Sequence, residues 1–472
     1  MSVPVLKGLS NFRGPVYTPG DEMFVRSRAI YNTRMSEQQP SAIARALDAD
    51  DVIAAVRFAA EHGRGLAIRA GGHGVDGSAM PDDALVVDLS EFKEISVEPG
   101  SRRVRLGAGV LLGEMDGALA EYGLVVPAGT VSTTGVAGLT IGGGVGYNMR
   151  ARGATVDSLL ACDIVTTDGR LVRASADENP DLFWAVRGGG GNFGVVVNFE
   201  FQAHPIPQMV SAGMIPFSLD QASEVLQSLR EYMPTAPREL ALIAALTQCP
   251  PLPPVPVEAH GTDVLMFVVV FTGPQSDSDR VMAQLASLGR PATVAVQPVP
   301  WPAANSMLDV IAPYGRRVYT KGGYLSELSD SAIDTTIKHA GIAPAPTAPP
   351  TPSTVQNLWA LGGAISDDFE EDSCAFSREG ATWFWEVATQ WDDPSDDATF
   401  MAWADALDAE LRPEFRDNCY INLTTDLGSA WRKGAWGSPE KYRRLVDAKT
   451  KWDPQNMLRY NKNIDPTPTS AV

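Results

Sequence analysis

Glycine is concentrated in three short stretches of the first 200 residues, and this constrains the fold more than any other feature of the chain. The first is Gly71-Gly72-His73-Gly74. The second spans 127–146, with Gly129, Gly135, Gly138, Gly142, Gly143, Gly144 and Gly146. The third is 188–194, Gly-Gly-Gly-Gly-Asn-Phe-Gly. Backbone without Cβ atoms lets N–H groups approach a bound anion or a flat ring closely. A flexible linker is the bland alternative, but linkers seldom carry interleaved Val, Leu and Ile as 127–146 does. Three such loops in one half of a chain read as three walls of a single site.

Two of the runs match G-x-G-x-x-G, at Gly72, Gly74, Gly77 and at Gly189, Gly191, Gly194. That fingerprint needs a helix opening at its last glycine to hold a pyrophosphate. Pro81, Asp82, Asp83 and a strand-like run follow the first match, and Val195-Val196-Val197-Asn198-Phe199 follows the second. Both matches fail on context, so a nicotinamide-binding unit is not expected.

With 472 residues and 44% hydrophobic content, the chain is long enough for two or more domains with substantial cores. A net charge of -19 disfavours binding to nucleic acid or to an anionic membrane, both of which rely on basic patches. Small neutral or cationic partners fit better, and Glu370-Glu371-Asp372 reads as a solvated turn. Cys162, Cys249, Cys374 and Cys419 are far apart with no CxxC pair, which suggests neither a metal site nor a disulfide framework. The N-terminus carries no secretory-type apolar region, and no run approaches bilayer length. A soluble, cytoplasmic protein is expected.

Periodicity predicts helices over 50–62, capped by Asp50 or Asp51 and ended by Gly63, and over 111–122. Strands over 66–68 and 84–87 flank the first glycine run. Hairpins are predicted at 95–106 and at 162–173, the latter around Asp168-Gly169. At 204–207 the glycine clusters stop. Beyond lie predicted strands at 209–217, 240–246, 264–271, 355–365 and 381–390, and helices at 220–232, 277–288 and 398–411. Proline-rich 250–256 and 344–352 read as stiff surface loops. A strand over 419–423 would set Tyr420 and Asn422 on one side. A helix over 439–450 then precedes a polar tail that is expected to dock back. The expected class is α+β: residues 1–205 form one domain, 206–418 form a second with a largely antiparallel sheet covered by helices, and 419–472 return to the first.

The pieces RAGGHGVDG, GVAGLTIGGGVGY, DIVTTDGRLVRAS, DLFWAVRGGGGNFGVV, Tyr420-x-Asn422 and KWDPQNMLRYNKNIDP, in this order, resemble the berberine-bridge-enzyme-like oxidases, within the vanillyl-alcohol-oxidase type of FAD domain. The resemblance implies a two-subdomain FAD-binding domain plus a substrate domain, and it implies FAD bonded through its 8α carbon to His73. Such a link prevents cofactor loss and raises the flavin potential. Arg69, Gly71, Gly72 and Gly74 would serve the pyrophosphate and tether, and Gly129, Thr130, Gly135, Gly138, Gly142, Gly143 and Gly146 a second wall. Val195 would present backbone to the ring, and Asn461 and Asn463 would close it from the tail. Arg187 is either a cofactor neighbour or a structural ion-pair residue. Many relatives form a second flavin bond through a cysteine whose place is taken here by Val131. A single covalent bond is therefore implied, as in the subset resembling 6-hydroxy-D-nicotine oxidase. Thr134 matches a position that gates oxygen, where the valine-like form is associated with oxidases and threonine is close to valine in size; a buried hydroxyl satisfied by backbone is the alternative.

The implied chemistry is hydride transfer from a C–H beside an alcohol or amine, with O2 as acceptor giving H2O2, on a small-molecule substrate. Tyr420, beside Asn422, matches the family's tyrosine and is the leading base. A free phenol has a pKa of about 10 and needs help to act near neutrality. A strand tyrosine with a merely structural hydroxyl is the alternative. Tyr147 could wall the site, and Lys321 and Tyr324 could reach it from the second domain. An oxygenase or oxidative cyclase, and a flavin-binding protein without catalysis, remain open.

Overall fold

The computed structural model describes Leu9 and residues 11–251, 255–345 and 353–467. Residues 252–254 and 346–352, within the two expected proline-rich loops, lie outside the described residues. The first sheet contains β1 (Val16–Tyr17), β2 (Ala42–Arg45), β3 (Leu66–Arg69) and β4 (Leu85–Asp88), in the order β1-β2-β4-β3. Strands β3 and β4 run parallel, yet residues 70–84 between them form no helix, so the first glycine run is a loop across the strand ends. The helix Ala49–Glu61 packs Val52, Ala55, Val56 and Ala59 inward. Its cap is Asp48, which accepts from the N–H groups of Asp50 and Asp51, rather than either of those two. Asp51 is unavailable because its buried carboxylate accepts from Arg13 N and Leu47 N.

The second sheet is antiparallel. It uses β5 (Ile95–Glu98), β6 (Arg103–Gly107), β8 (Leu159–Val165), β9 (Leu171–Ser175) and β10 (Val195–Gln202), ordered β5-β6-β10-β8-β9, while β7 (Leu124–Val125) and β11 (His204–Pro205) pair separately. The hairpin at Asp168-Gly169 forms as predicted. Within 127–146, which carries no helical signature, the chain makes a short helix, Val136–Ile141, and another helix, Pro180–Val186, leads into the last glycine run. One apolar core joins residues from Ala42 to Ala203 with Ala375, Cys419, Ile421, Trp436, Leu445, Trp452 and Ile464, so the tail is part of this unit.

The third sheet has seven antiparallel strands, β12 (Met209–Ser218), β13 (Leu240–Gln248), β14 (Asp263–Phe271), β15 (Ala295–Pro300), β16 (Arg317–Leu325), β17 (Thr354–Ala360) and β18 (Trp383–Trp391), ordered β15-β12-β14-β13-β17-β18-β16. Helices Ala222–Tyr232, Gln275–Ala286, Asp330–Ala340 and Asp397–Leu411 supply the buried Leu226, Val281, Ile333 and Leu407 to the core on one face. The other face turns toward the glycine loops. The predicted strand 355–365 stops at Ala360, because Gly362 and Gly363, at φ +90° and +62°, turn the chain into the helix Ala364–Asp367. Two strands of this sheet escape sequence reading. β15 tolerates Pro298 and Pro300 because it lies at the sheet edge. β16 carries Gly322-Gly323 mid-strand, where a Cβ on Gly323 would collide with the Phe415 ring.

Candidate functional site

The three glycine loops converge on one cavity of about 420 Å³, closed on its far side by the bare face of the seven-stranded sheet. The first and second loops touch backbone to backbone. A Cβ on Gly135 would stand 2.6 Å from the amide nitrogen of Gly71, so both positions require glycine. Gly72 adopts φ +65°, a conformation that turns the loop and that side chains disfavour. Its carbonyl accepts from Tyr31 N at 2.9 Å. The third loop is locked to the tail by Asn192, which donates to Lys462 O and accepts from Ile464 N, and by Asn461 Nδ2, which donates to Gly191 O at 2.9 Å.

His73 lines this cavity with its ring laid on that of Tyr31, centroids 3.9 Å apart and 15° from parallel. Tyr314 stands edge-on at 5.5 Å and donates its hydroxyl to Gly71 O. Burial pushes the imidazole down to about 4, so it is neutral over the physiological range. Asp76 and Lys462, the latter from the tail, form an ion pair of 3.1 Å at the cavity wall. Burial works against ionisation of Asp76, but the Lys462 charge and Ser78 hydrogen bonds hold its carboxyl down to about 2.

The cavity also brings together Gly74, Gly129, Thr130, Val131, Thr134, Gly138, Val195, Tyr420, Asn422 and Asn461 from the sequence-predicted set. Other members of that set sit elsewhere. Arg69 turns from the cavity to pair with the buried Asp88 at 3.0 Å. Gly142 and Gly143 make room for the side chains of Asn422 and Phe376, and Gly146 for the carbonyl of Ala128, so all three are packing positions. Asn463 donates to Asp465 at 2.7 Å, and Arg187 lies over Phe183 while donating to Ser373 O. Tyr147 is buried in the apolar layer between the sheet and the second glycine run, with its hydroxyl unpartnered. Lys321 projects from the helix-covered face to Asp405, and Tyr324 is sealed against Phe384.

Residues 419–423 form a turn rather than the expected strand, closed by the Thr424 hydroxyl donating to Tyr420 O at 3.0 Å. The turn still pairs the two side chains, since Asn422 Nδ2 donates to the Tyr420 hydroxyl at 3.0 Å. Burial pushes the phenol up to about 12, against the opposing hydrogen bond from Asn422. Tyr420 is therefore a protonated donor at neutral pH.

The sheet contributes the ionisable group that sequence reading overlooked. Glu386 on β18 is 6% exposed and faces the cavity beside Asn357, Trp359, Gln390 and Thr320. Its Oε2 accepts from Trp359 Nε1 at 3.2 Å and from Asn357 Nδ2 at 3.4 Å. Neither donor is a cation, and burial raises the carboxyl to about 7. The surrounding wall is apolar: Met214, Ile243, Ala245, Met266, Val268 and Leu308. An acidic residue at an inward position of the aromatic run Trp383–Trp391 was the available signal, because period two sends Trp383, Trp385 and Val387 to the helix-covered core and Glu386 to the opposite face.

Two features leave room and a free acceptor for a bound cofactor such as FAD. A Cβ on Gly138 would meet no atom within 4 Å, so its bare face is not demanded by packing within the protein and instead leaves the cavity wide. Asn461 Oδ1, also at the wall, is buried without a partner and can receive a donor from a bound group.

Comparison with known proteins agrees with this geometry. A family model described as an FAD binding domain matches residues 40–175, and one described as berberine and berberine like matches residues 419–465. The FAD-linked oxidoreductase YgaK of Bacillus subtilis is 30% identical over 96% of this chain and 97% of its own. The (R)-6-hydroxynicotine oxidase of Paenarthrobacter nicotinovorans is 29% identical over 97% of each chain. The crystal structure of 6-hydroxy-D-nicotine oxidase from Arthrobacter nicotinovorans superposes with a TM-score of 0.84 at 26% identity, covering 98% of this chain and all of the other. The cavity lies between the two matched segments and the intervening sheet, and the chain belongs to the berberine-bridge-enzyme-like FAD-linked oxidoreductases.

Proposed function

We propose that this protein is an oxidase that takes hydride from a small amine or alcohol, with FAD bonded to His73 alone and O2 as the final acceptor, releasing H2O2. Residues 1–205 and 419–472 carry the cofactor, and 206–418 the substrate. When bound, FAD supplies the two-electron acceptor that no side chain provides. The residues do the rest. The glycine loops and the Asn461 amide grip the cofactor, and the neutral His73 offers a nucleophilic nitrogen. The apolar wall of the sheet receives the carbon skeleton of the substrate and excludes water.

One observation carries this reading: Glu386 is a buried carboxyl raised to about 7, in a cavity shared with the glycine loops. Above pH 7 it is an anion without a cationic neighbour, able to hold a substrate ammonium or hydroxyl and to accept its proton as the adjacent C–H bond breaks. Tyr420, protonated, donates to the substrate instead. The absence of thiol at Val131 supports attachment at one residue only.

The test mixes the purified holoprotein anaerobically with a panel of small amines and alcohols, follows bleaching of the flavin band, and then admits air. Bleaching followed by one H2O2 per turnover, with product two hydrogens lighter, is the expected result. Product that gains oxygen, or no bleaching by any amine or alcohol, would overturn it.

A further inference from the structure

The His73 ring meets a hydroxyl from outside the cavity wall. Thr133 Oγ1 lies 3.3 Å from His73 Nε2, and Thr133, unlike His73, is not part of the cavity wall. The turn bearing Thr133 is fixed on both sides. Thr134 N donates to Val131 O at 3.1 Å, and Ser132 N donates to Asp309 Oδ1 at 2.8 Å with the Ser132 hydroxyl on the other oxygen. The ring cannot swing freely either, being stacked on Tyr31 and bordered by Tyr314.

A neutral imidazole carries one N–H and one lone pair, and the partner of one nitrogen decides which is which. We infer that Thr133 is a positioning residue for covalent flavin attachment: it accepts Nε2–H, so that the lone pair of Nδ1 is the one offered to the cofactor. The inference rests on the histidyl linkage proposed above. In the step, a bond forms between Nδ1 and the 8α carbon, while one methyl C–H bond and the Nε2–H bond break. The Nε2 proton leaves through the hydroxyl of Thr133, a partly exposed residue. The two electrons of the methyl C–H bond pass through the ring system to O2, which takes up both protons and becomes H2O2. Positive charge develops on the imidazole before the proton leaves. Burial opposes that charge, and the His73 carbonyl beside the ring favours it.

The experiment uses full-length protein produced without riboflavin, reconstituted with FAD in air, and samples it over time for flavin that survives acid precipitation. Thr133→Val is expected to bind FAD without loss of affinity but to attach it at least tenfold more slowly, and Thr133→Ser to restore the rate. Attachment by Thr133→Val at the wild-type rate, loss of noncovalent affinity in step with the rate, or no rescue by serine would each overturn the role of Thr133. Failure of the underlying linkage reads differently: acid-stable flavin would be missing from the wild type, or would persist in His73→Ala.

Discussion

The carboxyl of Glu386 on β18 and the indole of Trp359 on β17 meet across the two strands at 3.2 Å, on the sheet face that looks toward the glycine loops. The indole fixes Oε2 without neutralising it, so the carboxyl stays near the pH at which an enzyme works. A base acts when deprotonated. The second-order rate of flavin reduction is therefore expected to rise with pH through about 7 and to level off above it. Glu386→Gln should remove that limb and lower the rate by a factor of about 10² to 10⁴, with flavin content unchanged. A variant that keeps both the rate and the pH limb would assign the base elsewhere.

The same carboxyl bears on stability with the opposite pH sense. Its folded value lies above the ordinary 4.5, so its contribution is fully present below pH 4.5 and is lost as pH rises through about 7. Glu386→Gln removes the cost of an ionised buried group. It is expected to leave the unfolding free energy from denaturant titration unchanged at pH 4.5 and to raise it at pH 8, by up to roughly 3 kcal/mol at about 1.4 kcal/mol per pH unit.

Lys449 and Asp453, neither with any side-chain exposure, form an ion pair at 2.7 Å. Lys449 also donates to Asn192 O and Leu458 O, each at 3.1 Å, which couples the third glycine loop to the tail. Asp453 accepts from Met457 N and Leu458 N as well. Removing one partner strands a buried charge. Lys449→Met is expected to cost about 3–5 kcal/mol in denaturant unfolding and to loosen the flavin in parallel. An unchanged midpoint would mean that the tail is held by other contacts.

Val131 lines the cavity that contains His73, two residues before Thr133. In the wild type, peptide mapping is expected to find flavin mass only on the peptide containing His73. In Val131→Cys the thiol should form the second bond that the resemblance associates with this position, so that one flavin joins two peptides. Flavin mass on any other wild-type peptide would contradict the single link.

The cofactor loops were legible because their chemistry is local: a glycine that must admit backbone, such as Gly71 against Gly135, is marked in the sequence by the residue itself. The failure of both G-x-G-x-x-G matches was equally local, since Pro81 and Val195 already exclude the needed helix. The substrate side was not legible in the same way. Asn357, on β17, meets Glu386 only through the register of β17 with β18, and Tyr31 reaches the same cavity from a loop of the other unit. Lys321 shows the cost of missing β16: once the strand is known, alternation sends Thr320 to the cavity and Lys321 to Asp405 on the covered face.

Gly138 separates packing from ligand binding most cleanly. It is the third residue of the helix Val136–Ile141 and lines the cavity, and a Cβ there would touch nothing within 4 Å. In the flavin-free protein, Gly138→Ala should be neutral or stabilising, by about 0.5–1 kcal/mol, because alanine loses less backbone entropy in a helix. In the loaded protein the added methyl occupies space that the cofactor needs, so flavin content per chain should fall. Measuring the unfolding midpoint without flavin and the flavin-to-protein absorbance ratio with it distinguishes the two effects. A full complement of flavin in Gly138→Ala would show that the cofactor does not lie against this helix, and a lowered midpoint without flavin would return Gly138 to the list of packing glycines.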